Sequence, residues 1–128
     1  KKAMQKYNII NKNGKDTSTS YQTLYQISLE NYYCGTNGPT KYLLDSNGHI
    51  IAQGFNNYEY IQTKETLRNK IFIIYEDRTE IYNVQKKKVA ATINTTGLKF
   101  DSYYAYEITG DTTNYYSYEN GDKFYTLS

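Results

Sequence analysis

The sequence predicts an all-β protein built of about three blade-like antiparallel units, each with three to four strands. A short phrase of strand and turn residues recurs along the chain, Tyr and Ile supply much of the apolar surface, and turn residues separate short apolar runs. A unit this small buries its apolar face only against a neighbour, so stacked units are expected. A β-sandwich made from the same hairpins is the alternative fold.

The composition favours thin sheets within one domain. At 128 residues the chain has the length of a single domain, so residues 1–128 are predicted to form one. It contains seventeen Tyr, four Phe and no Trp. Because a tyrosine hydroxyl needs water or a hydrogen-bond partner, a Tyr-rich core is thin, with the rings lying flat and their oxygens near the surface.

The repeated phrase combines a charged residue, two to four aromatic or apolar residues and a polar turn. Its four copies are residues 6–14, 41–48, 80–87 and 123–127. Aligned on Tyr7, Tyr42, Ile81 and Phe124, they are 35, 39 and 43 residues apart. The predicted units are residues 6–40, 41–78 and 79–122, and the closing strand 123–127 pairs with the preceding unit or returns to the first.

Each unit is predicted to contain the same pieces. The phrase itself is a strand, as at residues 42–44, and it ends in a tight turn. Asn13-Gly14 and Asn47-Gly48 accept positive φ at both central positions of a hairpin turn, whereas Lys86-Lys87 predicts a longer or differently shaped turn. A second strand, an aromatic cluster and a last strand follow. Residues 62–69 lack helical periodicity and are predicted to be a loop that accommodates a single helical turn.

The pattern resembles bacterial WG repeats. The residues that carry the likeness are Lys-Tyr, two apolar residues, Asp or Asn, a Gly-containing turn and a following aromatic stretch, and residues 41–61 are the best copy. The likeness covers roughly residues 6–127, although Asn8, Leu43, Tyr82 and Tyr125 stand where the family has Gly. It implies a β-propeller-like fold, open or three-bladed, and binding rather than catalysis. A weaker likeness is to the aromatic repeats of bacterial cell-wall-binding modules.

Catalytic chemistry is not predicted. His49 directly follows a turn, where exposure is expected, and Cys34 lies in an apolar strand with no second His in the chain to activate it. Residues 45–48 resemble the start of a calcium loop but lack the closing Glu. We therefore expect no enzyme activity, no catalytic residue, no metal ion and no cofactor.

Charge and hydropathy argue against two classes of partner, nucleic acid and the membrane interior. The net charge of +2 is too small and too interleaved for a nucleic-acid surface, and no apolar run is long enough to span a membrane. The chain starts without Met, which suggests a removed leader, anchor or upstream domain, and the Asn, Lys, Ile and Tyr bias is typical of AT-rich bacterial genomes. We expect an extracellular or cell-surface location; the sequence does not indicate the oligomeric state.

The aromatic clusters are the candidate binding residues. Exposed Tyr with neighbouring polar groups suits a protein partner, and flat Tyr rings also suit sugar rings, so the predicted function is a binding or scaffolding module that acts through protein contacts, with a glycan-binding module as the alternative. Because side chains alternate along a strand, only some of these rings can face a ligand. The predicted ligand-binding residues are Tyr58, Tyr60, Tyr103, Tyr104 and Tyr106.

Overall fold

The computed structural model describes residues 20–27 and 32–128, and in these residues the chain is all-β. Three antiparallel sheets of four strands are each built from strands in chain order. The predicted fold class of three blade-like units is confirmed: the described strands form three separate sheets rather than the two of the alternative sandwich. The first copy of the phrase and its Asn13-Gly14 turn lie outside the described residues.

The strand bounds follow short apolar runs that end at turn residues. The first sheet contains β1 (Thr23–Gln26), β2 (Tyr33–Asn37), β3 (Thr40–Leu44) and β4 (Ile50–Gln53). The second contains β5 (Asn57–Glu59), β6 (Lys70–Ile74), β7 (Thr79–Asn83) and β8 (Lys88–Ile93). The third contains β9 (Lys99–Phe100), β10 (Tyr104–Thr109), β11 (Thr112–Ser117) and β12 (Lys123–Leu127). The predicted loop at 62–69 holds one 3-10 turn, Glu65–Leu67.

The chain divides into two compact units, Lys1–Phe55 and Asn56–Ser128. The first sheet lies in the first unit, and the second and third sheets lie in the second. The single domain predicted for residues 1–128 stays a prediction.

In the first unit, the core is organised around a ring that packs on a glycine. Tyr21 is 1% exposed and packs with Leu44, and its ring meets that of Tyr42 edge-on at 5.5 Å. A Cβ on Gly35 would lie 2.7 Å from the Tyr21 ring, so the absent side chain makes room for it. Glycine in a strand interior commonly marks such a close approach.

In the second unit, the second and third sheets pack face to face. Phe72 of β6 stacks on Phe100 of β9, with ring centroids 3.9 Å apart. The buried members of this core are Leu67, Phe72, Ile81, Ala91 and Ile93 from one side and Ala105 and Tyr118 from the other. The Tyr118 hydroxyl is the polar exception, and its single O–H is shared between the carbonyl oxygens of Asp101 and Tyr104, which lie 2.7 and 2.9 Å from the hydroxyl oxygen.

The sheets and the predicted repeat units differ in phase. A sheet starts in the aromatic stretch of one predicted unit and includes the phrase that opens the next unit. The phrase is therefore the third strand of a sheet, as β3 and β7 show. The closing strand predicted at residues 123–127 is β12, and it pairs with β11 of the preceding unit, the first of the two predicted alternatives. It is the fourth strand of its sheet, however, whereas the second and third copies of the phrase are third strands. The copy of the phrase in the third sheet is β11 with the turn at Asn120-Gly121.

The turns after the third strands support this assignment. Gly48, Lys87 and Gly121 all have positive φ, at 80°, 56° and 77°, with separations of 39 and 34 residues. Gly48 alone has positive φ in the Asn47-Gly48 pair, so the predicted turn with two such residues is wrong. The Gly48 N–H donates to the Asp45 carbonyl oxygen at 3.0 Å, and the Asp45 N–H donates to the His49 carbonyl oxygen at 3.1 Å. This is the pattern of a three-residue hairpin loop whose last residue has positive φ.

Candidate functional site

The outer face of the third sheet is lined with aromatic rings. Tyr106 of β10 pairs with Tyr115 of β11, and Tyr115 pairs with Tyr125 of β12. Directly opposed residues point to the same side of a sheet, so the three rings form one row. Tyr104, two residues before Tyr106, shares this side.

A β-bulge adds a fifth ring. The register shifts between Tyr115 and Tyr116, which leaves Phe124 between the two paired residues of β12. The Phe124 ring lies 6.3 Å from that of Tyr104 and 6.4 Å from that of Tyr115, on the same side as Tyr125. Bulges often redirect a side chain in this way. We call the surface formed by Tyr104, Tyr106, Tyr115, Phe124 and Tyr125 the aromatic face.

The rings of the aromatic face hold one another in place. Tyr115 is central, with its ring centroid 5.0 Å from that of Tyr104, 6.1 Å from Tyr106 and 5.8 Å from Tyr125. The contacts are edge-on or tilted, the geometries in which aromatic quadrupoles attract. At the border, Phe124 and Tyr125 are 59% and 54% exposed. The face is therefore ordered by its own contacts yet open to a partner.

The equivalent positions of the second sheet have a different role. Phe72, Ile81 and Ala91 pair across β6, β7 and β8 as the Tyr row does across β10, β11 and β12. All three belong to the core against the third sheet. The positions that pack the second sheet against the third are thus occupied in the third sheet by the three tyrosines of the aromatic face. The bulk and hydroxyl of Tyr at each position suit a partly hydrated contact better than a dry sheet interface.

The opposite side of the third sheet contains a hydrogen-bonded carboxylate, that of Glu107. Glu107 accepts hydrogen bonds from the hydroxyls of Tyr116 at 2.6 Å and Thr95 at 2.7 Å, and from the Asn114 amide at 3.3 Å. The Tyr116 bond, then that of Thr95, holds the pKa of Glu107 below its usual value. Burial and the Glu107 carboxylate raise the pKa of Tyr116 to about 12. Because Thr95 follows β8, this network links the second sheet to β10.

A polar cleft of about 480 Å³ lies elsewhere in the second unit. We call it the basic cleft, because two cations, Lys70 and Lys86, and a single carboxylate, Glu119, are among its lining residues. Its other lining residues are Thr66, Asn83, Ala90, Ser102, Tyr103, Ser117 and Tyr118. Its volume is that of a small-molecule pocket.

The predicted ligand-binding tyrosines do not form one site. Tyr104 and Tyr106 lie on the aromatic face, and Tyr103, 78% exposed, lines the basic cleft. Tyr58 lies on β5 and Tyr60 just after it, both half-buried in the second sheet. The structure thus brings two of the five together, and their role in binding stays a prediction.

The aromatic face contains three residues outside the predicted ligand-binding set. Tyr115 lies in the Tyr-rich segment of β11, and alternation along the strand together with the correct phase of the repeat would have found it. Phe124 and Tyr125 were assigned to a repeat phrase, which hid them. No sequence signal indicates the bulge that places both on one side.

His49 and Cys34, the residues considered for catalysis, lie at a turn and in the core, respectively. His49 is exposed, and its Nδ1 lies 3.2 Å from the Asp45 carboxylate at the turn. Cys34 is 2% exposed, and burial raises the pKa of its thiol, which disfavours the reactive thiolate. Within residues 20–27 and 32–128, no cluster of three His, Cys, Asp or Glu side chains could hold a metal ion. No helix of these two segments is long and apolar enough to cross a membrane.

Comparisons with known proteins give structural likenesses only. No protein-family model and no curated protein matches the sequence. Hsv2 of Kluyveromyces lactis matches 75% of this chain and 32% of its own length, with 10% identity and a TM-score of 0.44. BamB of Moraxella catarrhalis matches 90% of this chain and 43% of its own length, with 10% identity and a TM-score of 0.45. The chain thus spans less than half of either structure. At this similarity the matches carry no functional argument, and the fold description rests on the sheets themselves.

Proposed function

We propose that this chain is a non-catalytic binding or scaffolding module of an exported or surface-exposed bacterial protein, with a degenerate WG-type repeat. It acts through protein contacts made by the aromatic face. The observation that carries the proposal is the row of Tyr106, Tyr115 and Tyr125 on the outer side of the third sheet, at the positions that the second sheet uses for sheet packing. Tyr106 and Tyr115 are half-buried among the other rings, and Tyr125 is exposed.

The chemistry of the aromatic face favours a protein partner. Clustered Tyr and Phe rings supply large contact areas at a low cost in side-chain entropy, and such residues dominate the energetics of protein interfaces. The partner is expected to present small apolar side chains between the rings and hydrogen-bond acceptors for the Tyr hydroxyls. A glycan needs several polar groups directed at its hydroxyls, whereas the centre of this face is formed by rings.

The non-catalytic part of the proposal is supported by the residues that could react. The Cys34 thiol is buried, and His49 pairs with Asp45 at an exposed turn. Glu107 is held by three hydrogen-bond donors on the inner side of its sheet. None of these groups faces another with the geometry of a nucleophile and its base.

The test compares the protein with a Tyr106→Ser, Tyr125→Ser double variant. The control is Tyr25→Ser, which removes a ring that is 57% exposed on β1 of the first sheet. All proteins are immobilised and exposed to extracts of the source cells and to a glycan array, and self-association is followed by sedimentation. Circular dichroism verifies that each variant is folded.

We expect the wild type and Tyr25→Ser to bind the same protein, or a second copy of the chain, and the double variant to bind at least about tenfold more weakly. Equal binding by all three would contradict a role for the aromatic face. Tyr106- and Tyr125-dependent retention on glycans, without a protein partner, would establish the glycan alternative instead.

A further inference from the structure

The basic cleft is concave, unlike the aromatic face. Its walls come from the 3-10 turn and β6 to β8 on one side, and from the segments flanking β10 and β11 on the other. The Thr66 hydroxyl donates to the Ser102 carbonyl oxygen at 2.6 Å and thereby links the two walls. Hydroxyl and amide groups of Thr66, Asn83, Ser102 and Ser117 line it, and the exposed Tyr103 ring stands at the cleft.

Two ammonium groups share this cleft. Lys70 donates to the Thr66 carbonyl oxygen at 3.2 Å and to the Asn69 side-chain oxygen at 3.0 Å, and it lies 5.9 Å from the centre of the Tyr118 ring. Among the described residues these acceptors use two of its three N–H groups. Burial, and then the charge of Lys86, lower the pKa of Lys70. The charge that acts on Lys70 is thus that of another cation, and a bound anion would relieve this repulsion.

The backbone that carries Lys86 departs from the pattern of its sister turns. Lys87 is the one non-glycine residue with positive φ in the described part of the chain, and Gly48 and Gly121 fill this position in the other two sheets. A β-carbon is unfavourable in this conformation, so glycine would be the better residue for the turn alone. Strain of this kind often marks a functional segment. The strained turn is also the one that supplies Lys86 to the cleft.

From these observations we infer that the basic cleft is a binding site for a small organic molecule that carries a phosphate group. Lys70 and Lys86 bind the phosphate oxygens. The hydroxyl and amide groups of the Ser, Thr and Asn side chains form hydrogen bonds with the rest of the ligand, and the Tyr103 ring packs against the ligand's carbon skeleton. Lysine serves such oxyanions as a compact charge with several N–H donors. The Glu119 carboxylate would repel a second anionic group, so the ligand is expected to carry its negative charge only at the phosphate.

The test is a calorimetric titration of the folded protein with three probes: inorganic phosphate, a hexose and the corresponding hexose phosphate. We expect the hexose phosphate to bind most tightly, inorganic phosphate more weakly, and the hexose not measurably at millimolar concentration. Lys86→Ala should weaken hexose phosphate binding about threefold to tenfold, and added salt should weaken it further. Lys88→Ala, which removes a cation two residues further along the chain but no lining residue, is the matched control.

Lys70→Met retains the aliphatic stem against Tyr118 and tests the second cation, with circular dichroism to verify folding. Loss of binding in both cleft variants, but not in Lys88→Ala, supports the site. Equal weakening by Lys88→Ala would reduce the effect to net charge and overturn the inference, as would hexose phosphate binding that is absent or unchanged in Lys86→Ala. The Tyr106→Ser, Tyr125→Ser variant should bind the probe normally, so the failure of one proposal is distinguishable from the failure of the other.

Discussion

Gly121 of the third sheet's last turn lies against the backbone of the second sheet, and its replacement by Ala tests their packing. A Cβ built on Gly121 would lie 2.3 Å from the Thr92 carbonyl oxygen and 2.9 Å from the Thr92 carbonyl carbon. Thr92 belongs to β8, and its backbone is fixed by pairing with Glu80 of β7. A flexible side chain could move away from the new methyl group, but this backbone moves only with its sheet.

The magnitude follows from two contributions. Gly121 has φ of 77°, and a residue with a β-carbon in the left-handed region costs roughly 1–2 kcal/mol. Overpacking of a close contact adds about 1–3 kcal/mol. Gly110, with φ of 59°, has no atom within 4 Å of its would-be Cβ, so Gly110→Ala should show the backbone cost alone. We therefore expect Gly121→Ala to lower the free energy of unfolding by about 2–5 kcal/mol and Gly110→Ala by about 1–2 kcal/mol.

Urea unfolding followed by circular dichroism measures both variants under the same conditions. If Gly121→Ala were no more destabilising than Gly110→Ala, the turn would not be packed on β8, and the described contact between the two sheets would be refuted. A change in the slope of free energy with urea would instead show that the variant has altered the folded or unfolded ensemble.

Three further predictions concern single positions. Gly35→Ala should destabilise the first unit by about 1–3 kcal/mol in urea unfolding, because its methyl group meets the Tyr21 ring at 2.7 Å; an unchanged midpoint would contradict this packing. Lys87→Gly should stabilise the protein by about 0.5–1 kcal/mol on thermal or urea unfolding, since glycine tolerates φ of 56°, and a destabilised variant would refute the assignment of strain. Glu107 has a lowered folded-state pKa, so its contribution to stability is present above the ordinary carboxyl value of 4.5 and is lost as the pH falls through the folded-state value. Glu107→Gln should lack this part of the acid dependence of unfolding, and an identical pH profile would show that the hydrogen bonds of Glu107 add nothing.

The fold class was predictable because its signals are local. Alternating apolar residues and turn residues specify strands and hairpins over a few positions, and a repeat shows that the units share a structure. The Asn47-Gly48 and Lys86-Lys87 turns were placed correctly for this reason. Even the single helical turn at Glu65–Leu67 fits the absence of apolar periodicity around it.

The position of each phrase within its sheet is not a local property, and the sequence pattern did not predict it. Residues 123–127 match the phrase in residue type, yet they form the fourth strand of a sheet rather than the third. A strand pattern specifies which residues alternate but not which neighbour a strand pairs with, and pairing depends on contacts across the sheet. The positive φ at Gly121 identifies the correct equivalence, and that is a property of backbone conformation.

By itself the sequence determined that this chain makes short antiparallel strands, repeats them, and has Tyr as its main aromatic residue. The tertiary structure decided which tyrosines meet. Tyr104 and Tyr106 join Tyr115, Phe124 and Tyr125 because strand pairing and one bulge bring them to the same side of a sheet, whereas Tyr103 lies at a different site. The steric and hydrophobic preferences of neighbouring residues determine the strand pattern. A surface, in contrast, is formed by residues that are distant along the chain, and only strand pairing brings them together.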